Sequence, residues 1–123
     1  MKYYCLQLTK NDCGFAVIKM MLAYYHHDKN YLFMEQDMLQ SNYSFLDLKN
    51  IARDNNLVLR GYEVQELEQA QIFPLIGLIK LNGNAHYILI EKVTKNYVYF
   101  FDPLEGKQKI EKEDFYRIFT GFI

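Results

Sequence analysis

One stretch of the chain is apolar on nearly every side of a predicted helix. Residues 15–25 carry a single charge, Lys19, and neither glycine nor proline. A helix that is apolar all round lies in the middle of a core. Asp12, or the turn around it, is expected to cap this helix, which places Cys13 in its first turn. The sequence therefore predicts a central helix with Cys13 at its N-terminal end.

Cys13 is a candidate nucleophile because of this position. The helix macrodipole and the unpaired backbone N–H groups of a first turn favour an anion, here a thiolate. A free thiol is mostly protonated at neutral pH, and a helix start is one place that changes this. A buried, inert cysteine explains the segment equally well, because cysteine is often a small core residue. The segment alone leaves both interpretations open.

The composition favours one globular domain that binds neither nucleic acid nor anionic membranes. Half of the 123 residues are hydrophobic and 16% are aromatic, so disorder is not expected. The 14 basic and 15 acidic residues give a net charge of −1 without a long basic run, which argues against nucleic acid and anionic membranes as partners. The longest apolar stretch, residues 73–81, is too short to span a bilayer, so a soluble chain is expected. Cys5 and Cys13, only eight positions apart, make a poor disulfide framework, which favours a reduced, cytosolic setting.

The hydrophobic period changes from helical in the first half to alternating in the second. The first helix is expected to end near His26 and His27, which point apart, so no metal site is expected there. Further helices are predicted at residues 32–40, after a cap at Ser44, and at 113–119, with a helical turn at 66–71. Strands are predicted at residues 58–64, 75–81, 86–93, 97–101 and 107–110. Helices first and antiparallel strands second predict a single α+β domain over residues 1–123.

A hairpin around Thr94 suggests how a catalytic pair forms. If its loop has an odd number of residues centred on Thr94, His86 faces Asp102 and Ile90 faces Val98. A slip of one residue would move Asp102 to the other face of the sheet. Taken singly, His86 is an ordinary strand-end residue and Asp102 an ordinary turn opener.

Together with Cys13, these residues form a constellation suited to covalent catalysis. An imidazole takes the proton of the thiol, and a carboxylate holds the imidazole in the right tautomer and orientation. Cysteine, then histidine, then a carboxylate after the next strand is the chain order of papain-like hydrolases.

Several blocks of sequence carry a resemblance to a known family. They are Gln7 six residues before Cys13, the Asp-Cys-Gly at 12–14, the Asn-Ala-His-Tyr-Ile-Leu-Ile at 84–90, the Phe-Asp-Pro-Leu-Glu-Gly at 101–106 and the Phe-Tyr-Arg-Ile-Phe-Thr-Gly at 115–121. In this order they resemble the double-glycine leader peptidases. These are papain-like domains at the N-terminus of bacterial peptidase-containing ABC transporters, which export bacteriocins, lantibiotics and signalling peptides.

The resemblance implies a role for each site residue. Cys13 would be the nucleophile, His86 the general base and acid, and Asp102 the group that orients His86. Gln7 would donate its side-chain amide, with the backbone N–H of Cys13, to the oxyanion of the tetrahedral intermediate. Without the resemblance, Gln7 is more simply a surface glutamine before a turn. Cys5 matches no catalytic position of the family and is expected to be a packing residue. No metal and no cofactor are implied.

The resemblance also implies a substrate and a setting. Family substrates carry a leader ending in Gly-Gly or a close variant, and a narrow cleft that rejects side chains would explain this selectivity. The leader is expected to lay the apolar face of an amphipathic helix in a groove, for which Met34, Met38, Tyr43 and Leu67 are candidates. The chain would then be the N-terminal domain of a transporter, on the cytoplasmic side of the bacterial plasma membrane. Its partners would be transmembrane and nucleotide-binding domains.

Two other classes of function stay open. Arylamine acetyltransferases and transglutaminase-like proteins use Cys-His-Asp sites for acyl transfer or deamidation, but in larger domains and without an expected match to Gln7. A module that only holds peptide cargo for a transporter has no use for a thiol beside a matched histidine and aspartate. Binding of a leader peptide without cleavage would favour such a module.

Overall fold

The computed structural model of the chain describes residues 2–9, 12–35 and 42–123. Its helices are α1 (Cys13–His26), α2 (Phe45–Asp54) and α3 (Lys112–Ile118), with short 3-10 helices at Lys29–Phe33 and Leu67–Gln69. Its strands are β1 (Leu75–Leu81), β2 (Asn84–Val93), β3 (Tyr97–Asp102) and β4 (Gly106–Glu111). The strands form an antiparallel sheet in the order β1-β2-β3-β4. This arrangement confirms the predicted α+β class.

Helix α1 lies in the middle of the core, as its composition predicts. All residues from Gly14 to Ala23 are buried, including Lys19, whose ammonium lies 5.3 Å from the centroid of the Phe15 ring. Helix α1 is capped by His27, whose backbone is left-handed (φ 53°). This conformation lets the His27 N–H donate to the carbonyls of Ala23 and Tyr24 in the last turn. Neither α1 nor any other helix in the described ranges is long and apolar enough to cross a bilayer.

The sheet is covered on both faces, which explains the unbroken apolar run in β2. Tyr87 and Leu89 belong to the core cluster around α1. Ile88 and Ile90 belong to a second cluster that includes Phe115 of α3. Because successive residues of a strand point to opposite faces, both sets are buried at once.

Helix α2 begins with the predicted cap. The Ser44 hydroxyl accepts the N–H of Asp47 at 3.1 Å, and the Asp47 carboxylate accepts the N–H of Ser44 at 2.8 Å. This reciprocal pair is a capping box. Leu48 and Ala52 of α2 are buried, whereas Leu46 is exposed.

The predicted helix at residues 32–40 is wrong where the structure describes it. The 3-10 helix at Lys29–Phe33 replaces its start, and Met34 has an extended backbone with φ −57° and ψ 138°. Asp28 begins the 3-10 helix by accepting the N–H of Asn30 at 2.9 Å, a local bond that competes with α-helical pairing. Residues 36–41 lie outside the described residues.

The strand predicted at residues 58–64 is also wrong. A single β-bridge joins Glu63 to Phe122, and Tyr62 exchanges backbone hydrogen bonds of 3.1 and 3.0 Å with Ile123. The segment is therefore extended, but it pairs with the three residues 121–123. The segment lies along the surface of the core, so its side chains are partly buried or exposed, and they alternate between the two at residues 57–60, where Val58 is exposed.

A two-residue turn, Asn82-Gly83, joins β1 to β2. Both residues have positive φ, 51° and 82°, and Leu81 pairs with Asn84 across the turn. This is the type I′ geometry, whose twist matches that of the flanking strands.

Replacing Gly83 with alanine should lower the free energy of unfolding by about 1 kcal/mol. A Cβ at Gly83 would meet no atom within 4 Å, so the loss would come from the left-handed backbone alone. Gly61 is the matched control, because a Cβ there has its nearest neighbour at 3.9 Å and no positive φ is required. Gly61→Ala should leave stability unchanged or raise it slightly. Urea denaturation followed by circular dichroism checks this, and equal stability of the two variants would contradict the turn geometry.

Candidate active site

Cys13 is the first residue of α1, as predicted, and its side chain is half-buried. Asp12 occupies the N-cap position, but its side chain makes no capping bond to the helix. Its carboxylate instead accepts the N–H groups of Leu8 and Thr9, at 3.1 and 2.9 Å. Asp12 is thus the N-cap residue, as predicted, but its side chain binds the preceding backbone at Leu8 and Thr9 and not the helix. The Asp12 carboxylate therefore does not cap the first N–H groups of the helix, at the end where Cys13 lies.

The hairpin of β2 and β3 has a different register from the predicted one. Ile90 pairs with Phe100, whereas the prediction paired it with Val98. His86 therefore does not face Asp102 directly across the ladder, and that part of the prediction is wrong. A displacement of two residues keeps the same side chains on each face. His86 and Asp102 are thus diagonal neighbours on one face, within reach of each other's side chains.

A β-bulge is what keeps the pair on one face. The Thr94 N–H donates to the Tyr97 carbonyl at 2.9 Å, so two residues form the tight turn instead of the odd number predicted. With that turn and an unbroken ladder, His86 and Asp102 would lie on opposite faces. The register shifts at Glu91, which is the extra residue of the bulge. This shift returns His86 to the face of Asp102.

His86 and Asp102 are joined side chain to side chain. The imidazole Nε2 lies 2.6 Å from Oδ1 of the carboxylate, a distance typical of a charge-assisted hydrogen bond. The two side chains are 15% and 8% exposed, so the bond is largely shielded from water. The carboxylate therefore orients the ring, and Nδ1 is the ring nitrogen that remains for other partners.

The turn after β3 holds the carboxylate in place. Asp102 pairs with Gly106 across this turn, and Gly106 supplies the positive φ of 91° that the turn requires. Burial alone would raise the pKa of Asp102, but the hydrogen bonds from His86 and from the N–H groups of Leu104 and Glu105 lower it below its usual range. Asp102 is thus a carboxylate, not a neutral acid, at neutral pH.

The environment of His86 favours the charged imidazole. Burial would lower the pKa of His86, but hydrogen bonds with Asp102 and Cys13, and the negative charges of both groups, raise it to about 9. Because Nε2 is bonded to Asp102, Nδ1 is the ring nitrogen left to interact with Cys13. His86 therefore meets the sulfur as an imidazolium, the partner that stabilises a thiolate.

Gln7 lies beside the turn that carries Asp102. Its backbone N–H donates to the Pro103 carbonyl at 2.8 Å. Its side-chain amide donates to the Thr9 carbonyl at 2.8 Å. The structure therefore links Gln7 both to the Asp102 turn and to the segment that leads into Cys13.

Cys5 packs in the core, as predicted. Its sulfur donates to the Ala16 carbonyl at 3.7 Å, and the side chain packs against the cluster around α1. Burial raises the pKa of the Cys5 thiol. Both cysteines are free thiols, and the environment of Cys5 suits packing better than nucleophilic attack.

A large cleft lies between α2 and the extended segment at residues 57–64, and neither Cys13 nor His86 lines it. Its volume is about 1010 Å³, and its walls are mainly apolar. Its exposed apolar residues are Leu46, Val58, Tyr62 and Ile72. Water-exposed apolar side chains gathered in one concave surface are typical of a binding site.

The residues predicted to form a substrate groove do not line this cleft. Leu67 is buried in the core, whereas Met34 and the largely buried Tyr43 together line a separate cleft of about 220 Å³. Met38 lies outside the described residues. The sequence carries one signal for this cleft. Leu46 is apolar but does not lie on the apolar face of α2 that packs on the core, so an exposed leucine could be expected there.

Within residues 2–9, 12–35 and 42–123, no three His, Cys, Asp or Glu side chains are grouped as a metal ion would require. His26 instead lies with Nε2 2.7 Å from the Asn55 carbonyl oxygen. Its ring stacks on Tyr31, with 5.0 Å between the centroids. These contacts give His26 a packing role at the end of α1.

Comparison with known sequences matches the chain to a family model and to several relatives. The family model described as Peptidase C39 family matches residues 1–123. The chain is 35% identical over 127 residues to the SPbeta prophage-derived sublancin-168-processing and transport ATP-binding protein SunT of Bacillus subtilis (strain 168). That alignment covers 95% of this chain but 18% of SunT, so the chain spans less than a fifth of the relative's length.

Comparison with solved structures gives the same fold. A double glycine motif protease from an AMS/PCAT transporter, crystallised in complex with the leader peptide, has a TM-score of 0.78 and 29% identity, over 97% of this chain and 86% of that one. The peptidase domain of Streptococcus ComA has a TM-score of 0.79 at 17% identity, over 99% of this chain and 95% of that one, and shows the fold alone. These likenesses confirm the predicted papain-like peptidase fold.

His86 should titrate near pH 9 in the folded protein, as followed by NMR of its ring protons. Asp102→Asn removes one negative charge and should lower the midpoint towards the ordinary value of about 6.5. Because the pKa is raised in the folded state, the charged ring stabilises the protein fully below pH about 6.5, and this stabilisation is lost as the pH rises through the folded-state value. A midpoint in the ordinary range for the unmodified protein, or no change in Asp102→Asn, would contradict the ion-pair geometry.

Proposed function

The chain belongs to the Peptidase C39 family, and on that premise we propose that it is a cysteine endopeptidase that removes the leader of a precursor peptide after a Gly-Gly-type motif. The observation that carries the proposal is the convergence of Cys13, His86 and Asp102: Nε2 of His86 lies 2.6 Å from the Asp102 carboxylate, and Cys13 is close enough to His86 to help raise its pKa. The leader peptide bound to the double glycine motif protease, and the processing role in the name of SunT, support this class of substrate.

The first step of the proposed reaction is attack by the Cys13 thiolate on the carbonyl carbon before the scissile bond. A C–S bond forms, and the carbonyl π electrons move to the oxygen, which becomes an oxyanion. The backbone N–H of Cys13 and the side-chain amide of Gln7 are proposed to donate to that oxygen. The loss of one such donor typically costs a factor of about 10²–10³ in rate.

The imidazolium of His86 then serves as the acid. It donates its proton to the amine nitrogen while the C–N bond breaks, which leaves a thioester on Cys13. Neutral His86 next takes a proton from water, whose oxygen attacks the thioester, and the thiolate leaves. Asp102 keeps Nε2 occupied throughout, so that Nδ1 stays directed at the reacting atoms.

The cleft that contains Leu46, Val58, Tyr62 and Ile72 is proposed to hold the leader. An amphipathic helix presents apolar residues three and four positions apart, which match a concave apolar surface. Cys13 does not line the cleft, which fits a substrate that binds along an extended length of its leader. Recognition of the leader and cleavage would then depend on different residues, whereas a narrow passage near Cys13 would select glycine at the cleavage point.

The chain is further proposed to act as the N-terminal peptidase domain of a longer bacterial ABC transporter, on the cytoplasmic side of the plasma membrane. The transport ATP-binding role in the name of SunT, of which the chain covers 18%, supports this setting. The transmembrane and nucleotide-binding domains of the transporter would be its protein partners. The thiol and imidazole chemistry itself calls for no cofactor.

Single-turnover cleavage of a synthetic precursor with a Gly-Gly leader, followed by mass spectrometry, tests the proposed activity. Cys13→Ala should bind the precursor but leave it intact. His86→Ala should lower the rate by about 10²–10⁴, the usual contribution of a general acid and base. Asp102→Asn should lose less, because the carboxylate orients the ring. A wild-type protein that binds the leader without cleaving it would instead be a peptide-holding module, and full activity in Asp102→Ala would remove Asp102 from the site.

Val58→Asp should weaken binding of the leader about tenfold, since burying a valine side chain contributes about 1.5 kcal/mol. The cleavage rate at saturating substrate should stay unchanged, because Val58 lies in the cleft and not beside Cys13. Phe33→Asp is the matched control, since Phe33 is 77% exposed outside the cleft and Val58 is 73% exposed within it. Fluorescence anisotropy of a labelled leader measures both dissociation constants. Equal weakening in the two variants would contradict the assignment of the cleft.

A further inference from the structure

Asp12 is a buried carboxylate to which the proposed mechanism assigns no step. It is 2% exposed, although it directly precedes the nucleophile Cys13. A carboxylate withdrawn from water is costly unless its oxygens accept hydrogen bonds. Because its side chain does not cap α1, its burial needs another explanation.

Both oxygens of Asp12 bind the backbone that precedes the helix. Oδ2 accepts the N–H of Leu8 at 3.1 Å, and Oδ1 accepts the N–H of Thr9 at 2.9 Å. Hydrogen bonds to an ionised acceptor belong to the strong class. The side chains of Leu8 and Thr9 are exposed, so burial of those side chains does not hold this backbone. The carboxylate of Asp12 therefore supplies its anchor.

The side chain of Gln7 depends on the same backbone. Its amide donates to the carbonyl of Thr9 at 2.8 Å, while the N–H of Thr9 donates to Asp12. Thr9 is thus bonded on one side to the carboxylate and on the other to the amide. An oxyanion donor must lie about 2.7–3.1 Å from the developing charge, so a small displacement of Thr9 would misplace the amide.

Two further bonds fix the ends of this arrangement. The N–H of Gln7 donates to the Pro103 carbonyl at 2.8 Å, next to Asp102. The carbonyl of Asp12 accepts the N–H of Ala16 at 3.0 Å, within the first turn of α1. Gln7 is therefore held between the helix that begins at the nucleophile and the turn that carries the orienting carboxylate.

We infer that Asp12 is a positioning residue for Gln7: its carboxylate holds the Thr9 backbone so that the Gln7 amide points at the carbonyl oxygen under attack. The inference rests on the proposed peptidase function and assigns the group that prepares its oxyanion site. Asp12 touches no substrate and transfers no proton. Its effect on the reaction therefore exists only while the amide of Gln7 is present.

Asp12→Asn is the most direct test, because it keeps the size of the side chain but replaces one acceptor oxygen with a nitrogen that cannot accept an N–H. Single-turnover cleavage should become about tenfold slower, with the dissociation constant of the leader unchanged. Gln7→Ala should be slower by about 10²–10³. The double variant Gln7→Ala/Asp12→Asn should be no slower than Gln7→Ala, because no amide is left to position. Losses that multiply in the double variant would overturn the inference.

A peptide aldehyde that ends in Gly-Gly gives a second readout. The Cys13 thiolate bonds to the aldehyde carbon while the carbonyl π electrons move to the oxygen, the proton stays on His86, and the negatively charged oxygen occupies the oxyanion position. Asp12→Asn should weaken binding of the aldehyde by about the factor by which it slows cleavage, while binding of the uncleaved leader stays unchanged. A purely structural role for Asp12 would leave the ratio of the two affinities unchanged.

Asp28→Asn is the matched control. The Asp28 carboxylate also accepts a backbone N–H, that of Asn30 at 2.9 Å, but it lies past the C-terminal end of α1. This variant should change neither the cleavage rate nor the affinity for the aldehyde. If it slows cleavage as much as Asp12→Asn does, the effect is general destabilisation and the inference fails. A wild-type protein that does not cleave the leader would refute the peptidase function itself, which distinguishes the two failures.

Asp12→Glu serves if circular dichroism shows that Asp12→Asn does not fold. It keeps the charge and both oxygens but carries them one methylene further from the backbone. Cleavage should slow measurably in this variant, and the loss should again vanish in the Gln7→Ala background. An equal loss in both backgrounds would overturn the inference.

Discussion

The hydrogen bond between His86 and Asp102 is the interaction on which the rest of the site depends. At 2.6 Å and largely shielded from water, it orients the imidazole and helps to keep it charged beside the thiol. The bond exists because the bulge at Glu91 turns His86 to the face of Asp102. The bulge has its own anchor, since the Glu91 carboxylate accepts the hydroxyl of Tyr4, whose ring packs 4.7 Å from that of Phe101. A detail of strand pairing thus decides whether His86 and Asp102 can meet.

Local patterns account for what the sequence predicts well. The buried helix that begins at Cys13 and the cap at Ser44 are encoded by neighbouring residues, so both could be located from the sequence. The meeting of His86 and Asp102 was predicted through two errors that cancel, an odd-numbered turn and an unbroken ladder. Turn length and bulge together set the face of each residue, and the sequence states neither. The prediction of a strand at residues 58–64 is wrong for a related reason. A strand needs a neighbouring strand to pair with as well as an alternating pattern, and the sequence does not show which segments pair.

Apart from Leu46, the candidate binding surface is beyond sequence reasoning because it depends on which apolar side chains the fold leaves uncovered. Tyr43 and Leu67 look no different in the sequence from Val58 and Ile72, yet the first two are buried and the last two are exposed. Asp12 shows the same limit at short range. A helix cap and an anchor for the preceding segment require the same residue type at the same position.

Alkylation by iodoacetamide, quantified for each cysteine by peptide mass spectrometry, tests most directly whether the thiol and the imidazole act as one unit. Cys5 is the internal reference in the same molecule, because burial raises the pKa of its thiol. At neutral pH we predict that Cys13 reacts much faster than Cys5, and that His86→Ala removes most of this difference. Equal labelling of the two cysteines in the unmodified protein, or an unchanged rate at Cys13 in His86→Ala, would contradict the proposed site.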